Sequence, residues 1–135
     1  MNDLRPTLYL HVFVLLLFCK LISAQHLDNT PLDKVKFDFN KLDENGLYGP
    51  PDGLRLLDYA FCIPNDIEKA QEIRKINPEI IIFQSKNEFI DRAISCKAEE
   101  SFFCLANTAQ TNFKEVILTT AAFPYVSDII EFHYR

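Results

Sequence analysis

Residues 54–83 read LRLLDYAFCIPNDIEKAQEIRKINPEIIIF, and the change of period within them decides the fold class. From Leu54 to Ile63 the apolar residues alternate. Leu57, Tyr59, Phe61 and Ile63 share one face, and Leu56, Asp58, Ala60 and Cys62 share the other, which is the period of a strand. Pro64 stops that strand. Beyond it Ile67, Ala70, Ile73 and Ile76 recur at helical spacing. Asn65 or Asp66 stands where a cap is needed, and Glu68 falls three residues after Asn65, as in a capping box. Asn77-Pro78 ends the helix. Residues 79–83, EIIIF, then form a short apolar run that predicts a buried strand, so the stretch as a whole is one β-α-β unit.

The remainder of the chain repeats the pattern. Residues 85–100 are mixed in character and predict a loop. SFFCLAN at 101–107 predicts a strand. Thr111 precedes the helical stretch NFKEVILTTAAF, where Phe113, Val116, Ile117, Thr120 and Ala121 form one stripe before Pro124. VSDIIEFHY predicts a closing strand with Val126, Ile130, Phe132 and Tyr134 on one side. The order β-α-β-β-α-β predicts an α+β, ferredoxin-like sandwich over residues 46–135, with two helices on one face of a four-stranded sheet. Ahead of it lies a polar leader, residues 25–45, whose alternating KVKFDFN predicts an extra N-terminal edge strand through Val35, Phe37 and Phe39.

All three glycines of the 135-residue chain fall at positions 46, 49 and 53, within GLYGPPDGLR. Pro-Pro-Asp-Gly is a turn signature: Pro51 presets φ, Asp52 bonds its own backbone, and Gly53 accepts a left-handed conformation. The turn reading makes this a rigid joint leading into the first core strand. The contact reading makes it an exposed loop presenting Tyr48, Asp52 and Arg55. A phosphate-binding loop is disfavoured, because no glycine-rich turn leads into a helix here and the lysine is missing.

Residues 1–24 have a short charged start, an apolar core and a small final residue, the pattern of a secretory signal peptide ending at Ala24. The apolar run is too short for a stable membrane span, which needs about 20 residues. The address is therefore the periplasm or the exterior. The chain carries a net charge of −5, and with no basic cluster this argues against nucleic acid as a partner. Without the signal segment Cys62, Cys96 and Cys104 remain, which predicts one disulfide and one thiol. The ferredoxin-like order was expected to set the first and third strands side by side and parallel, with Cys62 and Cys104 near their ends. Cys62–Cys104 is the expected bridge, with Cys96–Cys104 and Cys62–Cys96 as alternatives.

Motifs for chemistry are sparse. The chain lacks Cys-x-x-Cys, so neither a redox pair nor a metal loop is expected, and no cofactor is implied. A catalytic cysteine would need a histidine within reach, and His133 is the one candidate. Asp58, inside an apolar strand, is the carboxylate whose titration could be perturbed. Aromatic residues are plentiful, with 12 Phe and 5 Tyr. Phe102 and Phe103 point to opposite faces of their strand, so one of them lies on the face without helices, and an uncovered apolar sheet face is a partner surface.

At GLYGPPDGLR, the FCIP of 61–64, the Cys96 to Cys104 spacing, and ANTAQTNFKEVI with FPYVSDI, the chain resembles a family of small exported bacterial proteins over residues 47–132. That resemblance implies export and brings no activity with it. The C-terminal helix followed by FPYVSDIIEFHYR is similar to the end of subtilisin-type propeptides, which implies protease inhibition through a tail, although little chain follows the strand here. The expectation is an exported, non-enzymatic protein-interaction module that binds a protein partner or a second copy through its open sheet face, using Tyr48, Asp52, Arg55 and Phe102. A protease-inhibitor or propeptide-like module is the second reading, and an enzyme the third.

Overall fold

The computed structural model describes residues 30–84, 94, 96, 97 and 99–133. The expected signal segment lies outside them. Among the described residues the elements with full bounds are β1 (Leu47–Tyr48), β2 (Arg55–Leu56), β3 (Asp58–Pro64), α1 (Ile67–Ile76), β4 (Ile81–Phe83), β5 (Ser101–Asn107), α2 (Phe113–Ala121) and β6 (Ile130–Glu131). β1 and β2 pair as a small antiparallel hairpin. The others form a four-stranded antiparallel sheet in the order β4-β5-β3-β6. The molecule is thus α+β with two helices and two antiparallel sheets, compatible with the expected ferredoxin-like sandwich.

The alternation in β3 sorts residues as its pattern requires. Leu57, Tyr59, Phe61 and Ile63 face the helices, where they meet Ala70 and Ile73 of α1 and Phe113, Ile117 and Ala121 of α2. The α2 stripe is buried in full, from Phe113 to Ala121. α1 is capped by Asp66, whose carboxylate accepts from the N–H groups of Glu68 and Lys69. The capping box on Asn65 does not form. Ile67 lies off the apolar stripe and is 70% exposed. α2 starts after Asn112 without a side-chain cap, so Thr111 does not serve as one.

Two expectations about strands are corrected. Val35 makes a single parallel bridge to Ile129, and the segment around it forms two short 3-10 turns, Pro31–Lys34 and Phe39–Lys41, in place of an edge strand. Asp38, whose carboxylate accepts from the Asn40 N–H, bends the chain out of the extended form, and Phe37 and Phe39 meet each other edge to face while packing against the core. EIIIF is also not a fully buried strand. Ile80 is buried and Ile82 packs toward the helices, but β4 is the outer strand of the sheet and exposes Ile81 and Phe83.

β3 and β5 are antiparallel, not parallel. Their register sets Cys62 opposite Phe103 and Phe61 opposite Cys104. Cys62 and Cys104 therefore lie on opposite faces of the sheet, and no bond joins them. Cys62 is bonded to Cys96 instead, with Cα atoms 5.7 Å apart, and Cys104 is a buried free thiol.

Nor is the face turned away from α1 and α2 bare, and the helical Ile94 lies on it. Ala60, Cys62, Phe103 and Leu105 on that face are all buried in a second cluster with Ile94 and Cys96, flanked by Ile130 and Phe132. Ile94 and Cys96 belong to the connection between β4 and β5, and the disulfide ties that connection to the centre of the face. Among the described residues of this face, large apolar side chains are exposed at the β4 margin. Ile81 and Phe83 pair with Leu105 and Phe103, so they share this face, and they are 56% and 38% exposed.

Candidate functional site

The glycine-rich hairpin is organised from its backbone outward. The Gly53 N–H donates to the Pro50 carbonyl at 2.9 Å, which closes the turn. The positive φ values fall at Gly46 (75°) and Gly49 (113°), not at Gly53 as its turn position suggested. A side chain at Gly46 would place its Cβ 2.2 Å from the carbonyl oxygen of Thr108. Thr108 is fully buried. Its hydroxyl donates to the Gly46 carbonyl and accepts from the Leu57 N–H at 3.0 Å, while its own N–H donates to the Leu57 carbonyl at 3.1 Å. Asp43 anchors the entry: its carboxylate accepts from the N–H groups of Asn45 and Leu47. Two of the three glycines thus answer backbone demands, which supports the reading of the loop as a rigid joint.

Of the expected contact residues, the hairpin register brings Tyr48 and Arg55 together, with the guanidinium 4.8 Å from the centre of the Tyr48 ring. Partial burial raises the Tyr48 phenol above its ordinary pKa, and a bond to the Glu131 carboxylate raises it further. Glu131 also lies 3.3 Å from the His133 imidazole. Sequence reading did not group Glu131 with these residues, since β6 and the hairpin are far apart in the chain. Asp52 sits exposed in the turn, away from this group. Phe102 is not part of it either. It pairs with Ile63 near the other end of β3 and packs, half-buried, against the core on the helix side, and Phe103 is the aromatic on the opposite face.

A second feature lies where β3 begins and β5 ends. A pocket of about 90 Å³ is lined by the carboxylates of Asp58 and Glu79, the carboxamides of Asn77, Asn107 and Gln110, and the apolar Ile81, Leu105 and Ala106. Asn77, the buried residue that closes α1, orients the lining. Its side-chain oxygen accepts from the Gln110 amide, and its NH₂ donates to the Tyr59 hydroxyl at 3.4 Å. Burial pushes the Tyr59 phenol up to about 12. Partial burial also holds the Asp58 carboxyl above its usual range, against the opposing pull of nearby His133.

Ligand pockets generally enclose about 300–1,000 Å³, whereas this one holds about three water volumes. Arg55 and His133, which an enzyme reading would join to Asp58, do not line it. Cys62 is in a disulfide, and burial pushes the Cys104 thiol up to about 12, so neither sulfur is available as a thiolate nucleophile near neutral pH. Among the described residues no group of three or more His, Cys, Asp or Glu side chains is placed to hold a metal ion, and no helix is long and apolar enough to cross a membrane. Comparison with protein-family models, curated proteins and solved structures finds no match to this chain.

Proposed function

We propose that this chain is an exported, non-enzymatic ferredoxin-like domain that works by protein–protein contact, and that the contact is made along the outer margin of the sheet at β4. One observation carries the reading: Ile81 and Phe83 are exposed on the same side of β4, which is the outermost strand of the sheet among the described residues. An edge strand offers unpaired backbone donors and acceptors to an incoming extended segment, and apolar side chains beside it add burial. Export is supported by the Cys62–Cys96 bond, since structural disulfides persist in oxidising compartments. The docking surface proposed here is narrower than an open sheet face, because the centre of that face is filled.

The test places a photoreactive phenylalanine analogue at Phe83 and, as a control, at the exposed Asp52. The oxidised protein is irradiated in its own exported fraction. A discrete adduct from position 83, absent from position 52, with a native mass above that of the bare chain, is the expected result. A bare monomer with equal, diffuse labelling from both positions would overturn the reading.

A further inference from the structure

The β4 margin and the sheet-end pocket share a residue, Ile81, and so form one continuous surface. We infer that the partner is an extended peptide segment carrying a lysine or arginine beside apolar residues, with the cation entering the pocket of Asp58 and Glu79 and the apolar neighbours covering Ile81 and Phe83. This inference rests on the docking reading above and names the chemistry of the partner.

Charge complementarity is the main argument. The pocket lining holds two carboxylates and no cation. Four surface carboxylates, Asp66, Glu100, Asp128 and Glu131, have a cationic or histidine partner, whereas Asp58 has the more distant pull of His133 and no contact pair. Neither Asp58 nor Glu79 makes an ion pair among the described residues. The neutral lining is arranged for the same guest. Gln110 donates its NH₂ to Asn77, which leaves its side-chain oxygen as an acceptor toward an ammonium or guanidinium. Asn77 is itself buried and doubly bonded, so this acceptor is held in place. The volume suits the head of one side chain, at about three water volumes, and not a free metabolite. Partial burial disfavours the charged form of Asp58, and an entering cation would offset that penalty.

The probes are end-capped hexapeptides of alternating valine and threonine in which one central position is lysine, norleucine or glutamate, each with a fluorescent label. Anisotropy is read on the oxidised chain and on D58N, E79Q and F83S. The lysine peptide should bind roughly tenfold tighter than the norleucine peptide, as expected for a partly buried charge contact. D58N and E79Q should bring the two peptides toward equality, whereas F83S should weaken both alike. Should D58N fail to fold, the carboxyl resonance of Asp58 in the unaltered chain decides: its titration should move to lower pH with the lysine peptide and stay with norleucine. Equal binding of lysine and norleucine, still sensitive to F83S, would overturn the inference and leave edge docking standing. Binding of neither peptide would overturn the inference, and the photocrosslink from position 83 would then judge the docking reading separately.

Discussion

Replacing Thr108 with valine keeps the side-chain shape and removes one oxygen. That oxygen joins the glycine hairpin to the core sheet, donating to the Gly46 carbonyl and accepting from the Leu57 N–H at 3.0 Å in a fully buried position. Thr108→Val leaves both backbone groups without a partner. An unsatisfied buried polar group costs about 1–3 kcal/mol, so the pair predicts a loss of about 2–6 kcal/mol. A domain of about 100 residues shifts by about 4–8 °C per kcal/mol, so the melting temperature should fall by at least about 8 °C. Thr108→Ser keeps the oxygen and loses a methyl group, a change of about 1 kcal/mol. Urea unfolding of the oxidised chain, followed by circular dichroism, measures both variants. The reasoning fails if Thr108→Val stays within about 0.5 kcal/mol of the unaltered protein, or if Thr108→Ser falls as far as Thr108→Val.

Gly46→Ala should cost at least about 2 kcal/mol, from a left-handed φ and a clash with backbone. Gly53→Ala, with no atom closer than 3.5 Å, should be neutral or stabilising by up to about 1 kcal/mol in the same assay. Cys62→Ser with Cys96→Ser opens a loop of 34-residue separation and should destabilise by about 4 kcal/mol in the chain-entropy account, read as a lower urea midpoint. In a chain that begins at Gln25, a thiol reagent should leave the buried Cys104 untouched in the native state and modify it once the chain is unfolded without reductant. Burial raises the folded-state pKa of Cys104 from 9.0 to about 12. The corresponding stability is complete below about pH 9, the unfolded pKa, and is lost as pH rises toward 12. Alkaline unfolding should therefore be shallower in Cys104→Ala if that variant folds.

Much of the architecture was legible in the local pattern, for a physical reason. A strand or helix must put its apolar residues on one side, so the period of LDYAFCIP and of the α2 stripe identifies both the element and its buried face. β5 matches its expected span, Ser101–Asn107, and both helices fall where their stripes place them. The pattern fails where a segment's neighbours decide its state. KVKFDFN alternates, but only Val35 has a pairing partner, so the rest turns. EIIIF is apolar throughout, yet nothing in those residues says that β4 is an edge. At the candidate site, Tyr48 and Arg55 were found because they flank one turn. Glu131, Asn77 and Gln110 were missed because they arrive from distant parts of the chain.

Sequence alone determined the class of the main elements from Asp58 onward, the order β-α-β-β-α-β and the glycine joint, because these depend on near neighbours. Tertiary structure decided which cysteines meet, which sheet face is filled and where apolar surface remains. Those outcomes follow from strand direction and register. Antiparallel pairing sets Cys62 against Phe103 and turns Cys104 to the other face, and a residue's partner across a sheet is fixed by the alignment of two strands, which neither strand specifies by itself.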